Sequence, residues 1–511
     1  MEEIKCGESL CAVCGAGCSH SHHSDKIEKK PVSVEDMALR REARAAERNR
    51  LLREHGLPVI CFTLNIAGPE KYSESIETCF NIGVEELKKA LDNFNMHPVC
   101  EHYHIDFTGC EAFFAVRGAA RLIKAVAVKL EERFGFSRLF DIDVFDKDGT
   151  KLERVKARKC LICGQPAHEC SRSRRHSLEE LSAKTNELLR DAIAYSASMA
   201  AYRALVDEVE TTPKAGLVDL NNNGANSDMD PELFRISAET LAPYFYSMAY
   251  TAADKDTPAS GHGEGCGEDE GVNCADCPSH ESCRLEHGAS LMTKLTLLGV
   301  EAEAKMKAAT NGVNTHKGAI FCLGLLVSAY AKLTAEDKPH EPLDIIAEAK
   351  RMAALRPDPG RGTHGALVRE RFSDEAAEAP LGADAEARAG FPAAVNAYRR
   401  ILGYRLMNFG DNDCYALALI GIMAELHDTN AYSRAGKEGA DLVRTRAAEI
   451  MEMPLSKRIP AVISFDRELI AKNINCGGAA DCLACAIFLD RLTAYTDRRK
   501  EPEGEPHHAH E

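Results

Sequence analysis

A chain of 511 residues, 45% of them hydrophobic, has the apolar content for real cores and, by length, for roughly two to four domains. A formal charge of −16 without a long basic tract argues against nucleic acid as a partner. The opening residues are acidic, then rich in Cys and His, with no signal-peptide pattern, and the longest apolar run, 318–331, is short for a bilayer; the chain reads as cytoplasmic with no membrane partner, and its 20 cysteines as thiols or metal ligands more than disulfides.

Residues 1–30 carry Cys6, Cys11, Cys14, Cys18, His20, His22 and His23, and read as a Cys/His-rich tail with adventitious metal affinity. A helix is predicted over 35–53, where acids and bases alternate as on a solvated face. A buried strand over 58–66 ends at Gly68-Pro69, and a helix covers 73–94. Strand-like residues over 98–116 break at Gly109, and a helix follows over 119–133. A strand over 138–146 turns at Lys147-Asp148-Gly149 into a return strand over 151–156. From about residue 177 the pattern is helical almost throughout, starting with one long helix or two over 177–210. The fold expected is multidomain: an N-terminal α/β (α+β) domain over 31–185, then an all-α helical domain over 190–500 with a Cys-rich insertion at 254–290, and a disordered tail at 501–511.

In Phe140-Asp141-Ile142-Asp143-Val144 a period of two puts Asp141 and Asp143 on one strand face, which suits Mg²⁺ bound to substrate phosphates as well as the solvated edge of a sheet. Downstream, Arg158, Arg172, Arg174, Arg175 and His176 suit a polyphosphate. Cys160, Cys163, Cys170 and His176 also have zinc-like spacing, so two uses compete for His176; phosphate binding is the preferred one. Leu64-Asn65-Ile66-Ala67-Gly68-Pro69, the 138–144 strand, and the 160–163 and 170–176 segments, in this order, resemble the apo-citrate lyase phosphoribosyl-dephospho-CoA transferase family over about residues 57–185. The resemblance implies attachment of the citrate lyase prosthetic group to a serine of the acyl carrier protein subunit, with release of diphosphate.

Four polar loops punctuate the helical half: 208–230, 309–321, 427–436 and 473–481. In the second, Asn314, His316 and Lys317 open an apolar helix whose free N–H groups suit an anion, with Lys317 as a point charge; a capped helix–helix turn is the plainer reading. The fourth opens a helix at Gly477 and Gly478. Loops of a helical bundle can converge at one end to form a single polar site. Residues 212–219, 312–321, 428–430 and 477–483 resemble the triphosphoribosyl-dephospho-CoA synthase family over about residues 195–497. The pattern departs from that family at Ala215 and Cys476, where Pro is usual, and at Asn226, where His is usual. The segment 382–387 reads Gly-Ala-Asp-Ala-Glu-Ala, lacking the usual Arg at 384, though Arg388 is near.

That resemblance implies attack of the ribose 2′-hydroxyl of 3′-dephospho-CoA on C1 of the ATP ribose, with adenine leaving and the triphosphate retained. The product is the substrate of the first half, so the fusion makes chemical sense. Such a step needs an oxocarbenium-like state stabilised and a hydroxyl deprotonated, for which Asp219, Asp228 and Asp428 are the candidates. Lys214, His316 and Lys317 would hold the triphosphate, with Mg²⁺. Cys266, Cys274, Cys277 and Cys283, outside the resemblance, suit zinc or an iron–sulfur cluster, or belong to an unstructured insert. The alternatives are the equivalent malonate decarboxylase system, a nucleoside or ADP-ribosyl hydrolase, and a metal-responsive scaffold without catalysis.

Overall fold

Short apolar runs build the central strands of the first half, with alternation in the strand 140–145, and helical periodicity builds the rest. The structure is a computed structural model describing residues 27–255, 257, 290–356, 367–368, 370–371 and 382–493. The Cys/His-rich residues before 27, the expected ligands Cys266, Cys274, Cys277 and Cys283, and the tail 501–511 lie outside the described residues. The chain divides into two compact units between Ser196 and Ala197.

The first unit holds a four-stranded sheet in the order β2-β3-β1-β4, with β1 (Val59–Leu64), β2 (Pro98–Asp106), β3 (Gly109–Val116) and β4 (Phe140–Phe145). Every pairing is antiparallel, so this half is α+β. Period two sorts the side chains. Ile60, Phe62, Phe114, Ile142 and Val144 enter the larger core with residues of α2 (Glu74–Asp92) and α3 (Ala120–Glu131). Val59, Cys61, Phe113 and Phe145 meet Leu51 and Leu52 of α1 (Val34–His55) on the other face. Helix α1 is more than a solvated face: Arg40 and Arg44 both pair with the buried Glu111 of β3.

The return strand expected over 151–156 does not form. Only the bridge Phe145↔Lys151 pairs, and Val155 is fully exposed, so alternation there has no apolar face to bury. A short helix α4 (Ala167–Ser173) follows, then a single helix α5 (Leu178–Glu210) that carries the chain into the second unit.

The second unit is helical among its described residues: α6 (Pro231–Ala252), α7 (Leu291–Ala309), α8 (Lys317–Ala335), α9 (Pro342–Ala354), α10 (Ala383–Ala389), α11 (Pro392–Leu406), α12 (Asp411–Glu425), α13 (Thr429–Glu452), α14 (Leu455–Ala471) and α15 (Gly477–Thr493). Helix α8 packs against α6, α7, α9 and α15. It is long and apolar enough to cross a bilayer, yet 83% of its apolar window is buried, so it is the central core helix of this unit.

Candidate functional site

In the second unit the four loops line one cavity of about 700 Å³. The first contributes Glu208, Lys214 and Asn226; the second Asn314, Thr315, His316 and Lys317; the third Asp428, Thr429, Asn430 and Arg434; the fourth Asn475, Gly477, Gly478 and Asp481.

The first loop is shaped by two carboxylates. Asp219 is buried and accepts from the N–H groups of Lys214 (3.0 Å), Asn221 (2.7 Å) and Asn222 (3.0 Å). Asp466 of α14 accepts from Gly216 N (2.9 Å) and Asn222 Nδ2 (3.0 Å). Asp219 therefore braces the loop and is not among the residues lining the cavity, and Asp228 is exposed and outside it. Lys214 does line the cavity, but its buried ammonium stands 2.7 Å from Glu208 Oε1. It is thus half of a buried ion pair, and deleting either partner would leave an uncompensated charge.

The second loop starts α8. Lys317 is half exposed, with Nζ 3.0 Å from Glu303 Oε1, and Asn314 Oδ1 accepts from its N–H. His316 is buried, and burial, with the nearby Lys214 charge, pushes its pKa down to about 3; it is a neutral imidazole. Its Nδ1 lies 2.6 Å from Ser237 Oγ, which accepts from Thr315 Oγ1 at 2.7 Å. The tautomer in which the Ser237 hydroxyl donates to Nδ1 carries the imidazole proton on Nε2. Nε2 is buried and has no partner.

The third and fourth loops interlock. Asp428 caps α13 through Asn430 N (2.8 Å) and Ala431 N (3.3 Å), and its second oxygen accepts from Ala479 N at 2.8 Å on α15. Burial raises its pKa against these donors. Gly477 and Gly478 are small for the sake of this contact. A Cβ at 477 would overlap Asn430 Nδ2, and one at 478 would come within 2.9 Å of Asp428 Oδ2. Asn226 Oδ1 accepts from Asn475 Nδ2 and from Arg434 Nη2, both at 3.0 Å, tying together the first, third and fourth loops.

Four lining residues were not singled out from sequence. Asp481 is half-buried in the cavity wall, and loss of solvent around its carboxylate, then the Glu208 and Asp428 carboxylates, hold its pKa well above the usual range. Its sequence signal is one acid between Ala480 and Cys482 at the start of an apolar helix. Glu208 is the partner of Lys214, and Glu386 accepts from Ala393 N at 2.7 Å. Arg356 answers the missing basic residue: Asp384, where the family pattern has Arg, lies 3.4 Å from Arg356 Nη1 and 2.8 Å from Arg388 Nε, and Arg356 lines the cavity.

In the first unit, Asp141 and Asp143 share one half-exposed face of β4, an edge strand. Asp143 Oδ2 lies 2.6 Å from Lys151 Nζ, and Asp141 Oδ1 3.5 Å from Arg158 Nη1. Arg158 also donates to the carbonyls of Arg138 (2.5 Å) and Phe140. Arg172, Arg174 and Arg175 are exposed. His176 does not join them in the expected phosphate cluster: its ligand nitrogen gathers with the sulfurs of Cys160, Cys163 and Cys170, all within 4.8 Å of one another.

Residues 194–500 match the model of the ATP:dephospho-CoA triphosphoribosyl transferase family, and residues 32–192 that of the apo-citrate lyase phosphoribosyl-dephospho-CoA transferase family. Protein CitXG of Haemophilus influenzae is 28% identical over 493 residues, covering 92% of this chain and 98% of the relative. Protein CitXG of Leuconostoc mesenteroides subsp. cremoris is 28% identical over 456 residues, covering 84% and 90%. A probable 2-(5''-triphosphoribosyl)-3'-dephosphocoenzyme-A synthase of Azotobacter vinelandii is 34% identical over 313 residues, covering 59% of this chain and 93% of the relative.

Proposed function

The chain belongs to the ATP:dephospho-CoA triphosphoribosyl transferase family, preceded in the same polypeptide by an apo-citrate lyase phosphoribosyl-dephospho-CoA transferase match, and on that premise we propose a bifunctional transferase that makes and attaches the citrate lyase prosthetic group. The second unit, within residues 190–500, joins ATP to 3′-dephospho-CoA and releases adenine. The first unit, within residues 31–185, transfers the product to a serine of the citrate lyase acyl carrier protein and releases diphosphate.

The observation that carries the synthase reading is a set of three carboxylates around one cavity: Glu208 and Asp428, which are buried, and Asp481, which is half-buried. Asp428 is saturated by N–H donors and serves as a brace. Asp481 has a raised pKa and fewer donors, which is the character of a general base. It takes the proton of the 2′-hydroxyl as that oxygen bonds to C1 of the ATP ribose; the C1–N bond breaks, and adenine leaves with the electron pair and picks up a proton. Negative carboxylates nearby favour the oxocarbenium-like state. Lys317, Arg356 and the His316 Nε2–H are the donors for the triphosphate, with Asn314 orienting the start of α8. In the first unit, Asp141 and Asp143 are two half-exposed carboxylates on one face, a donor set that fits Mg²⁺, whose charge would shield the departing diphosphate. Arg158, Arg172, Arg174 and Arg175 would bind the substrate phosphates there.

The test is direct. Full-length protein with ATP and 3′-dephospho-CoA should form adenine, and added carrier protein should then gain mass as diphosphate appears. Adenine formed equally well without dephospho-CoA would point to a hydrolase instead.

A further inference from the structure

Between β4 and α5 the first unit carries a small construction that gathers three cysteines and one histidine. The chain turns through Cys160-Leu161-Ile162-Cys163-Gly164, closed by the bridge Lys159↔Pro166 and by Cys160 N→Gln165 O at 2.6 Å. Gly164 has φ +71°, a left-handed conformation that lets the chain reverse directly after Cys163. The backbone N–H groups of Ile162 and Cys163 donate to the Cys160 sulfur. Helix α4 then presents Cys170, and Arg174, at φ +46°, turns the chain so that His176 returns to the cluster. Cys163 Sγ and Cys170 Sγ are 3.4 Å apart, and His176 Nε2 is buried with no hydrogen-bond partner.

We propose that Cys160, Cys163, Cys170 and His176 bind one zinc ion that holds the basic segment 158–175 in place. Three sulfurs and one imidazole nitrogen within 4.8 Å of each other match a closed tetrahedral site, in which Zn–S bonds of about 2.3 Å set the sulfurs about 3.8 Å apart. Soft thiolates select zinc over Mg²⁺, and four protein donors leave no open position, so the role is structural. The zinc turn is clipped to the acidic strand from both sides: Arg138 Nη2 donates to the carbonyls of Lys159 (3.1 Å) and Cys160 (2.8 Å), and Arg158 donates to those of Arg138 and Phe140. The ion thereby sets where Arg158 stands relative to Asp141.

The test compares zinc content of the full-length chain, purified without chelator, with that of a Cys163→Ser/Cys170→Ser variant. The other Cys clusters of the chain are unaltered by this change, so the difference should be one zinc per chain. Equal zinc in the two proteins, iron in place of zinc, or a Cys163–Cys170 disulfide in the native protein would overturn the site. A melting curve of the full-length variant reports whether its first unit is folded, since adenine formation uses residues of the other unit alone. Should the thiol variant not fold, His176→Ala, which leaves all three thiols, should yield zinc to a colorimetric chelator at least tenfold faster than wild type; an unchanged release rate overturns the proposal. His176→Cys should keep its zinc, and its cobalt-substituted form should show thiolate-to-cobalt absorption raised by about a third, as four thiolates replace three. No rise would exclude His176 from the site.

Discussion

Gly318 and Asp481 fit together only because position 318 has no side chain: a Cβ there would overlap Asp481 Oδ2. Helix α8 therefore begins directly against this carboxylate of α15. Gly318→Ala should lower stability by about 1–3 kcal/mol, the usual scale of overpacking, and reduce adenine formation at least tenfold. Adding Asp481→Gly should restore the melting temperature without restoring activity. Recovery of activity in the double variant would remove Asp481 from catalysis.

The proposed base must be ionised to act, so adenine formation should fall as pH drops through the Asp481 pKa. Burial, Glu208 and Asp428 hold that pKa well above the usual range. The acid limb of kcat/KM should then lie well above the ordinary carboxylate value of about 4, and Asp481→Asn should abolish turnover. An acid limb near 4 would assign the base to another group.

His316 links stability to pH. Its folded pKa, about 3, is depressed below the ordinary 6.5, so only the unfolded chain takes up this proton as pH falls. The stabilisation is complete above about pH 6.5 and is lost toward pH 3, at about 1.4 kcal/mol per pH unit. Relative to His316→Gln, the wild-type chain should lose stability with this slope between pH 6 and pH 4 (roughly these limits) in paired denaturation curves. Parallel curves would mean that His316 is protonated in the fold.

Lys317 and Arg356 are the cations offered to the triphosphate. Lys317→Ala should lower kcat/KM for ATP roughly 30- to 150-fold, the scale of 2–3 kcal/mol for a charged hydrogen bond, with little change in melting because the Glu303 pair is exposed. Arg356→Ala should act similarly, and Arg356→Ala/Asp384→Arg should recover ATP use by returning a cation to the position where the family pattern carries one. Failure of that rescue, with the fold intact, would detach the 382–387 segment from ATP.

In the first unit, Asp141→Asn and Asp143→Asn should each stop carrier labelling and diphosphate release while adenine formation persists. Labelling retained in both variants would rule these carboxylates out as the metal site.

Local chemistry made much of this legible in the sequence. The apolar run 59–64 marks a strand buried on both faces, the alternation in 140–145 sets which of its residues face the larger core, and Ser33 and Ser73 cap α1 and α2 through bonds within three residues. Order alone carried the family resemblance, and the four loops were recognisable as polar breaks between apolar helices. What depends on how an irregular loop folds, and on how elements pack, was not legible. Whether Lys214 is free or paired rests on Glu208 across a buried turn; whether Asp219 lines the cavity or braces its loop rests on where three N–H groups point. Asp481 looked like the end of a glycine-rich loop until packing of α15 on α8 set it in the cavity wall near two other carboxylates. His176 has Arg175 as its chain neighbour, yet Arg174, in a left-handed conformation, turns it toward three sulfurs. Spacing along a chain determines which residues share a helix turn or a strand face, because those periods are set by backbone hydrogen bonds. Which charges are buried, paired or left neutral is decided only when separate elements pack and exclude water, since desolvation and Coulomb terms depend on distances that the chain order does not specify.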